Sequence, residues 1–397
     1  MVTFRQLCSA FHVKAQAFWS DRYAKKLWVG NTAALFLEGI VQQRTLGEIA
    51  DHLNRAQWLQ KWLGIDSIHP SSLYRKLNSM PTEALRDLYL HLVKEVAALH
   101  ERKPLRLGKR LGTLAAVDST TITLGCTGPQ WAYHQNGHYA VKVHTCLKLT
   151  GDTRAYPHRS VLSTAHVADL DAQVLQHLVH EQVVTYLFDR GYIHYHQFIE
   201  WTRKDLRFVA RIKASNKPQV IRRRTDFLHP IAVDADVKVR DSKTGETATL
   251  RLVEYDYLDR KGRTHRIRVL TNRWDWTAAE VAQAYKYRWK IEQFFKCMKQ
   301  HLHVKHPYST KPQGVWNVVY LNLIAYLLME GIRQQEAPHL RIGQVCIKFR
   351  HYAEEGWDVF QRALHPVRQR TSKGRRKKGG RPRKHPPKGK PLRLIFW

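Results

Sequence analysis

The sequence predicts an α/β protein in which an antiparallel β-insertion, residues 217–272, interrupts an alternation of strands and helices. Three observations support this fold class. Up to about residue 104, apolar residues recur at helical spacing with almost no strand pattern. From residue 105 onward, short apolar runs alternate with amphipathic segments, as in an α/β core. Within 217–272, apolar and polar residues instead alternate one by one, which is the period of half-buried strands.

Residues 1–104 form the predicted all-helical N-terminal domain. Within it, the segment from Leu46 to Leu53 has one apolar face, and the later segment HPSSLYRKL (69–77) begins a helix at Pro70. Two short helices with a basic second one are typical of a DNA-binding helix-turn-helix, although an ordinary helical hairpin has the same pattern. The basic side chains of this second helix, Arg75 and Lys76, are therefore candidate DNA contacts.

Residues 105–345 form the predicted α/β domain, which follows the basic Gly- and Pro-containing connector at 101–112. Its apolar runs predict strands, and its periodic segments at 171–179, 195–204, 277–302 and 312–335 predict helices. The predicted strands are TLAAVDST (113–120), HYAVKVHTCLKL (138–149), VVTYLFDRG (183–191) and LRFVARIK (206–213), followed within the insertion by IAVDADVKV (231–239), TLRLVEYDYL (249–258) and THRIRVLT (264–271).

Two segments complete the chain: residues 346–367, predicted to be helical, and residues 368–397, predicted to be disordered. The latter contain thirteen Lys and Arg and no acid, with many Gly and Pro, a composition that cannot bury a core. GRPRK (380–384) resembles the core of an AT-hook, in which Arg381 and Arg383 would enter the narrow minor groove of A·T-rich DNA. A tail that binds polyphosphates without sequence preference is the alternative.

The charge of the chain favours a polyanionic partner. Its 66 Lys and Arg against 33 Asp and Glu give a formal net charge of +33, and nucleic acid is the most common large polyanion. A basic ribosome-associated or membrane-surface protein is the competing class. The five cysteines form no C-x-x-C pair, which fits a reducing cytoplasm. There is no signal-peptide pattern, and the apolar run at 318–329 is too short to span a bilayer, so we expect a buried helix there.

Two acids follow apolar runs in the α/β domain. Asp118 comes directly after Leu114–Val117, and Asp189 comes directly after Val183–Phe188. An acid at the end of a buried strand is well placed to project into a cleft, although Asp also favours strand ends for purely structural reasons. The two acids are therefore candidates for one polar site.

A third acid lies in the segment YKYRWKIEQFFKCMKQHL (285–302), which reads as one amphipathic helix. At about 100° per residue, the apolar side chains from Ile291 to Leu302 share one side. The other side carries a narrow stripe of Tyr285, Arg288, Glu292 and Lys299. Such a stripe is either a solvated ladder of ion pairs or part of a site that needs one carboxylate among cations.

The chemistry of phosphodiester cleavage uses all of these side chains. Hard cations such as Mg²⁺ are held by carboxylate oxygens, and two of them can activate an attacking oxygen and stabilise a leaving one. Asp118, Asp189 and Glu292 would provide the carboxylates, while Arg288 and Lys299 would hold neighbouring phosphates. The sequence therefore predicts a site for two Mg²⁺ or Mn²⁺ ions.

The segments DSTTI (118–122), DRGY (189–192) and Tyr285-x2-Arg288-x3-Glu292-x6-Lys299 resemble the DDE transposases of insertion-sequence family 4, whose Y-R-E-K signature has this spacing. The resemblance covers about residues 105–335. It implies a ribonuclease H-like catalytic core with a β-insertion between the second Asp and the Glu. It also implies that Asp118, Asp189 and Glu292 are metal ligands and that Tyr285, Arg288 and Lys299 contact phosphates at the transposon end.

The same resemblance implies an activity and its partners. The protein would cut transposon ends in double-stranded DNA by metal-dependent hydrolysis and join the freed 3′-OH ends to target DNA. It would act as a homodimer in the synaptic complex, in the bacterial cytoplasm on the nucleoid, with no membrane partner. Family members that cleave through a hairpin stack a flipped base on a Trp near the end of the β-insertion. RIRVLTN (266–272) has no aromatic residue, and Trp274 and Trp276 follow only later.

Three other interpretations of the sequence remain open. A plain metal-dependent nuclease would use the same three acids. An inactive or domesticated transposase-derived protein would only bind DNA, and would not need the acids. A serine or tyrosine recombinase would need a nucleophile such as Ser119, and trapping a covalent protein–DNA adduct separates it from the others.

Overall fold

The computed structural model describes residues 24–101, 111–125, 129–135, 138–151, 154–259, 261–305, 307–352 and 354–365. Its helices are α1 Val29–Gln42, α2 Leu46–Arg55, α3 Gln57–Leu63, α4 Pro70–Ser79, α5 Thr82–Glu101, α6 Ala172–Leu178, α7 Tyr195–Arg203, α8 Ala278–Lys286, α9 Trp289–His301, α10 Pro312–Glu336, α11 Ile342–Tyr352 and α12 Trp357–Leu364. Its strands are β1 Thr113–Thr123, β2 Tyr133–Gln135, β3 His138–Leu149, β4 Ala155–Thr164, β5 Val184–Phe188, β6 Arg207–Arg211, β7 Gln219–Arg223, β8 Ile231–Arg240, β9 Thr247–Leu258 and β10 Thr264–Thr271.

Local signals account for the starts of the N-terminal helices. The Thr45 hydroxyl accepts a hydrogen bond from the Glu48 backbone N–H, and the Glu48 carboxylate accepts one from the Thr45 N–H, so α2 begins with a capping box. Pro70 occupies the first turn of α4, as the sequence predicts. On the face predicted to be apolar, Ile49 and Leu53 are fully buried. Helix α3 lies between α2 and α4 in the chain, a helix that the sequence did not separate from its neighbours.

Helix α10 is the central helix of this part of the protein. It packs against α1, α4, α5 and α11. The Asn317 amide ties α10 to the end of α4, because its Nδ2 donates to the carbonyls of Leu77 at 2.8 Å and Met80 at 2.9 Å. By length and composition α10 is the one described helix able to cross a membrane, yet 94% of its apolar window is buried inside the protein. It is a core helix, which confirms the prediction for 318–329.

The described strands form one ten-stranded sheet in the order β2-β3-β1-β5-β6-β10-β9-β8-β7, and β4, outside this order, also pairs with β3. The pairs β1–β5 and β5–β6 are parallel, and the other pairs are antiparallel. Strands β8, β9 and β10 are the three predicted strands of the β-meander, β10 with the predicted bounds, and β7 adds a strand that was not predicted. One apolar cluster joins one face of the sheet to α1–α5 and α8–α12, and a second joins the other face to α6 and α7.

Two parts of the sequence-based prediction need correction. Strand β1 does not end at Asp118 but continues to Thr123, because β3 extends beside it and pairs with it throughout. The segment 285–302 is not one helix. The backbone tightens at Tyr287 and Arg288 into hydrogen bonds three residues apart, from the Arg288 N–H to the Tyr285 carbonyl and from the Ile291 N–H to the Arg288 carbonyl. Helix α8 therefore ends before α9 begins.

Candidate active site

Asp118 lies where β1 loses one of its two neighbouring strands. The parallel pairing of β1 with β5 ends at Val117 and Phe188, whereas the pairing with β3 continues past Asp118. The Asp118 Oδ1 accepts a hydrogen bond from the Ser119 backbone N–H at 2.8 Å. Its side chain is 27% exposed, so the carboxylate lies at the edge of the core and is partly open to solvent.

Asp189 and Glu292 reach this region from two other elements. Asp189 directly follows β5, and the carboxyl ends of neighbouring parallel strands lie at one edge of a sheet, where open α/β sheets bind ligands. Glu292 lies in the first turn of α9. The predicted apolar side of α9, including Ile291 and Met298, is buried, and α9 contacts β1. Packing of that side places the start of α9 near Asp118 of β1.

The Arg288 guanidinium lies between these carboxylates. Its Nη2 donates to the Glu292 Oε1, and its Nη1 lies 4.0 Å from the Asp118 Oδ2. Burial alone lowers the pKa of Arg288, but the neighbouring Tyr285 and the carboxylates of Asp189 and Glu292 raise it above its ordinary value. Arg288 is only 8% exposed. Arg288 therefore forms the ion pair with Glu292 that a ladder predicts, but it does so from a largely buried position.

The Asp118 carboxyl group is held in an environment that opposes its charge. Burial raises the pKa of Asp118 to about 6, and repulsion from Asp189 and Asp169 acts in the same direction. The Ser119 N–H and the Arg288 guanidinium oppose this rise. A partly buried carboxyl group next to other acids gains from an added cation, because the cation offsets both the desolvation and the repulsion.

The carboxylates of Asp118, Asp189 and Glu292 are the kind of ligand that suits a hard divalent cation. Asp118 and Glu292 flank the Arg288 guanidinium and Asp189 lies near it, and carboxylate oxygens are the ligands that Mg²⁺ and Mn²⁺ prefer. As the side chains stand, no three Asp, Glu, His or Cys groups among the described residues are arranged to hold a metal ion. The Arg288 guanidinium takes the place between Asp118 and Glu292, where it supplies the positive charge that the carboxylates need.

Tyr285 and Lys299, the other two residues of the predicted stripe, do not lie together on one face of a single helix. Tyr285 belongs to α8 and is buried, 4% exposed, with its ring centre 5.9 Å from the Arg288 guanidinium carbon. Burial raises the pKa of its hydroxyl to about 12. Lys299 is half-buried two turns along α9 from Glu292, and burial, with repulsion from Lys305, lowers its pKa. The helix break moves Tyr285 off the surface stripe, and Lys299 remains on it.

The predicted DNA contacts outside this cluster lie on other elements. Arg75 is exposed and Lys76 half-buried on α4, whose opposite face packs into the core through Leu73 and Leu77. Arg381 and Arg383, with the whole predicted basic tail, lie outside the described residues.

Sequence reasoning missed a fourth carboxylate at this edge of the sheet. Asp169, in the segment between β4 and α6, accepts a hydrogen bond from the Ser119 hydroxyl at 2.7 Å. It also forms an ion pair with Lys142, at 3.2 Å. Strand β4 itself was also missed. Asp169 follows no apolar run, and Asp171 two residues later is an ordinary helix cap, so the segment carried no signal of a site.

A comparison with family models adds an independent finding. The model of the transposase DDE domain matches residues 109–328, more than half of the chain and the whole stretch that holds Asp118, Asp189 and Glu292. The chain belongs to the DDE transposase family, and with it to the transposases of insertion sequences. Transposases of this type use divalent metal ions.

Curated relatives agree with this assignment. The chain is 26% identical over 289 residues to a "probable transposase for insertion sequence element IS5377" of Geobacillus stearothermophilus, covering 72% of this chain and 73% of that protein. It is 30% identical over 259 residues to a "putative transposase y4zB" of Sinorhizobium fredii, covering 62% of this chain and 69% of that protein.

Proposed function

We propose that the protein cuts the ends of an insertion sequence by metal-dependent phosphodiester hydrolysis and joins the freed 3′-OH ends to target DNA. The observation that carries this proposal is the convergence of Asp118, Asp189 and Glu292 around one buried arginine, inside the region matched by the family model. We further assign the protein to insertion-sequence family 4, on the spacing of Tyr285, Arg288, Glu292 and Lys299.

The strand order supports a ribonuclease H-like core. The antiparallel β4, β3 and β1 are followed by the parallel β5 and β6, with the β7–β10 meander inserted before the helix that carries Glu292. Asp118, in β1 just beyond its pairing with β5, and Asp189, directly after β5, would be metal ligands, and Glu292 would complete the set from α9. Bound cations would activate the attacking oxygen and stabilise the leaving one.

The cations of the chain have a separate role in this proposal. Arg288 balances the carboxylates in the absence of DNA and would contact a phosphate at the transposon end, together with Lys299. Arg75 and Lys76 on α4 would contact the duplex in a helical DNA-binding region, residues 1–104. We propose a homodimer on double-stranded DNA, acting in the cytoplasm on the nucleoid.

A strand-transfer assay tests this function. Linear DNA carrying the ends of the protein's own element is incubated with the protein, a supercoiled target plasmid and Mg²⁺. A transposase gives cut ends and joined products in the target. Cut ends without joined products contradict strand transfer and support a plain nuclease. Binding without cutting supports a protein that has lost its catalytic activity.

A further inference from the structure

The segment between β4 and α6 is tied to the start of the unpaired half of β1. Beyond Val117, β1 has lost β5 as a neighbour and pairs only with β3. The Ser119 hydroxyl donates to the Asp169 Oδ1 at 2.7 Å, which attaches β1 at this position to the segment that follows β4. This hydrogen bond therefore connects β1 to another segment just beyond the point where β1 loses β5 as its neighbouring strand.

Asp169 is itself held by one side chain of β3, Lys142, and a second, His144, lies nearby. The Lys142 Nζ lies 3.2 Å from the Asp169 Oδ1 and also donates to the Val167 carbonyl at 2.8 Å, so it fixes both the carboxylate and the backbone of the segment. The His144 Nδ1 lies 3.6 Å from the same Oδ1, too far for a hydrogen bond, and the His144 ring is fully buried. Lys142 therefore holds Asp169 in place independently of the contact between Asp169 and Ser119.

Ser119 connects Asp169 to Asp118. Its backbone N–H donates to the Asp118 Oδ1 at 2.8 Å, so the position of residue 119 sets where one oxygen of Asp118 points. The chain of contacts runs from Lys142 through Asp169 and Ser119 to Asp118. Partners of this kind fix the orientation of metal-binding carboxylates, and their loss typically lowers metal affinity or activity about 10- to 100-fold.

We propose that Asp169 is a positioning residue for Asp118, acting through Ser119 to hold the Asp118 carboxylate in the orientation that a divalent cation requires. The proposal rests on the proposed function in one respect, namely that Asp118 binds the cation. Asp169 itself touches neither cation nor DNA in this scheme. Its effect on the reaction is indirect, and the hydrogen bond from Ser119 carries it.

The test compares Asp169→Ala and Ser119→Ala with the full-length wild-type protein. Mn²⁺ affinity is measured without DNA, by electron paramagnetic resonance of the free ion, and end cleavage is measured as a function of Mn²⁺ concentration. We expect each variant to weaken Mn²⁺ binding, and to raise the Mn²⁺ concentration for half-maximal cleavage, by about tenfold. The double variant is expected to lose no more Mn²⁺ affinity than either single variant, because each single substitution already removes the hydrogen bond between Ser119 and Asp169.

Two further variants separate positioning from folding. Ser119→Thr keeps the hydroxyl and is expected to bind Mn²⁺ as the wild type does. Asp171→Ala is the matched control in the same segment: it removes the cap that accepts from the N–H groups of Gln173 and Val174. We expect it to lower Tm without changing Mn²⁺ affinity.

The outcomes distinguish this inference from the proposed function. If Asp118→Ala abolishes Mn²⁺ binding while Asp169→Ala and Ser119→Ala bind normally, the positioning role is refuted and the metal site stands. Additive losses in the double variant also refute it, since two independent effects would then be at work. If Asp118→Ala binds Mn²⁺ as the wild type does, the proposed metal site fails, and the positioning role fails with it.

Discussion

Replacing Arg288 by Ala removes the positive charge from the middle of the carboxylate cluster. The guanidinium is 8% exposed and bonded to Glu292, and it lies 4.0 Å from Asp118. Removing one partner of a buried ion pair costs about 3–5 kcal/mol. The carboxylate partners here are 27% and 34% exposed, so water takes over part of the lost interaction. We expect Arg288→Ala to destabilise the protein by about 2 kcal/mol, close to the value of one charge-assisted hydrogen bond.

The same variant should respond more strongly to metal than the wild type. Without Arg288, the three carboxylates have no counter-charge between them, and a divalent cation no longer competes with the guanidinium for that place. We expect millimolar Mn²⁺ to raise the Tm of Arg288→Ala by several degrees more than that of the wild type. End cleavage should fall about ten- to hundredfold, the effect of about 1.5–3 kcal/mol for a lost phosphate contact.

The assay is differential scanning fluorimetry with and without Mn²⁺, combined with end cleavage on the same preparations. Arg268→Ala is the matched control, because Arg268 forms an ion pair with Glu254 at 2.7 Å within the β-meander. It should lose stability but show a wild-type response to Mn²⁺ and wild-type chemistry. Normal cleavage by Arg288→Ala, with no added Mn²⁺ response, would refute the functional reasoning for this cluster.

Three other predictions concern separate parts of the chain. Lys299→Ala should reduce end cleavage about tenfold while nonspecific DNA affinity, measured by anisotropy, stays near wild type; a uniform loss of affinity would contradict this. Deleting residues 368–397 should weaken binding to all DNA alike and lower the slope of log K against log salt by about 0.9 for each lost phosphate contact; a loss confined to A·T-rich DNA would instead support the AT-hook. Burial raises the pKa of Glu38 to about 7, although the Arg44 guanidinium paired with it acts to lower that pKa. The folded state then binds a proton that the unfolded state releases, so stability should fall by up to about 3 kcal/mol as pH rises from 4.5 to 7, and Glu38→Gln should abolish this fall in urea titrations.

Much of the fold follows from local pattern. The alternation in IAVDADVKV predicts β8, and Ala235, Val237 and Val239 are buried as the pattern requires. Asp234 and Asp236, on the face predicted to be polar, are buried as well. Strand β4 was not predicted, because only its first three residues are buried and all the others lie in an intermediate environment. A strand of that kind shows neither clear alternation nor a continuous apolar run.

The residues of the candidate site were proposed from the sequence, whereas their arrangement came only from the structure. The positions of Asp118, Asp189 and Glu292 after apolar runs and on an amphipathic segment indicated a shared site. The break between α8 and α9 carries no Gly or Pro, so nothing in the sequence predicted that Tyr285 would be buried. Asp169 joins the cluster through tertiary contacts with β1 and β3, which no local pattern encodes.

Cleavage of the element's own ends by single-site variants tests the central claim most directly. Asp118→Ala, Asp189→Ala and Glu292→Ala are compared with the wild type on DNA flanking the gene, in Mg²⁺, with DNA affinity measured on the same preparations. We expect each variant to bind DNA at least as tightly as the wild type, because it lacks a negative charge that repels phosphates. We also expect each variant to cut none of the DNA. Substantial Mg²⁺-dependent cleavage by any one of the three would contradict its assignment to the active site.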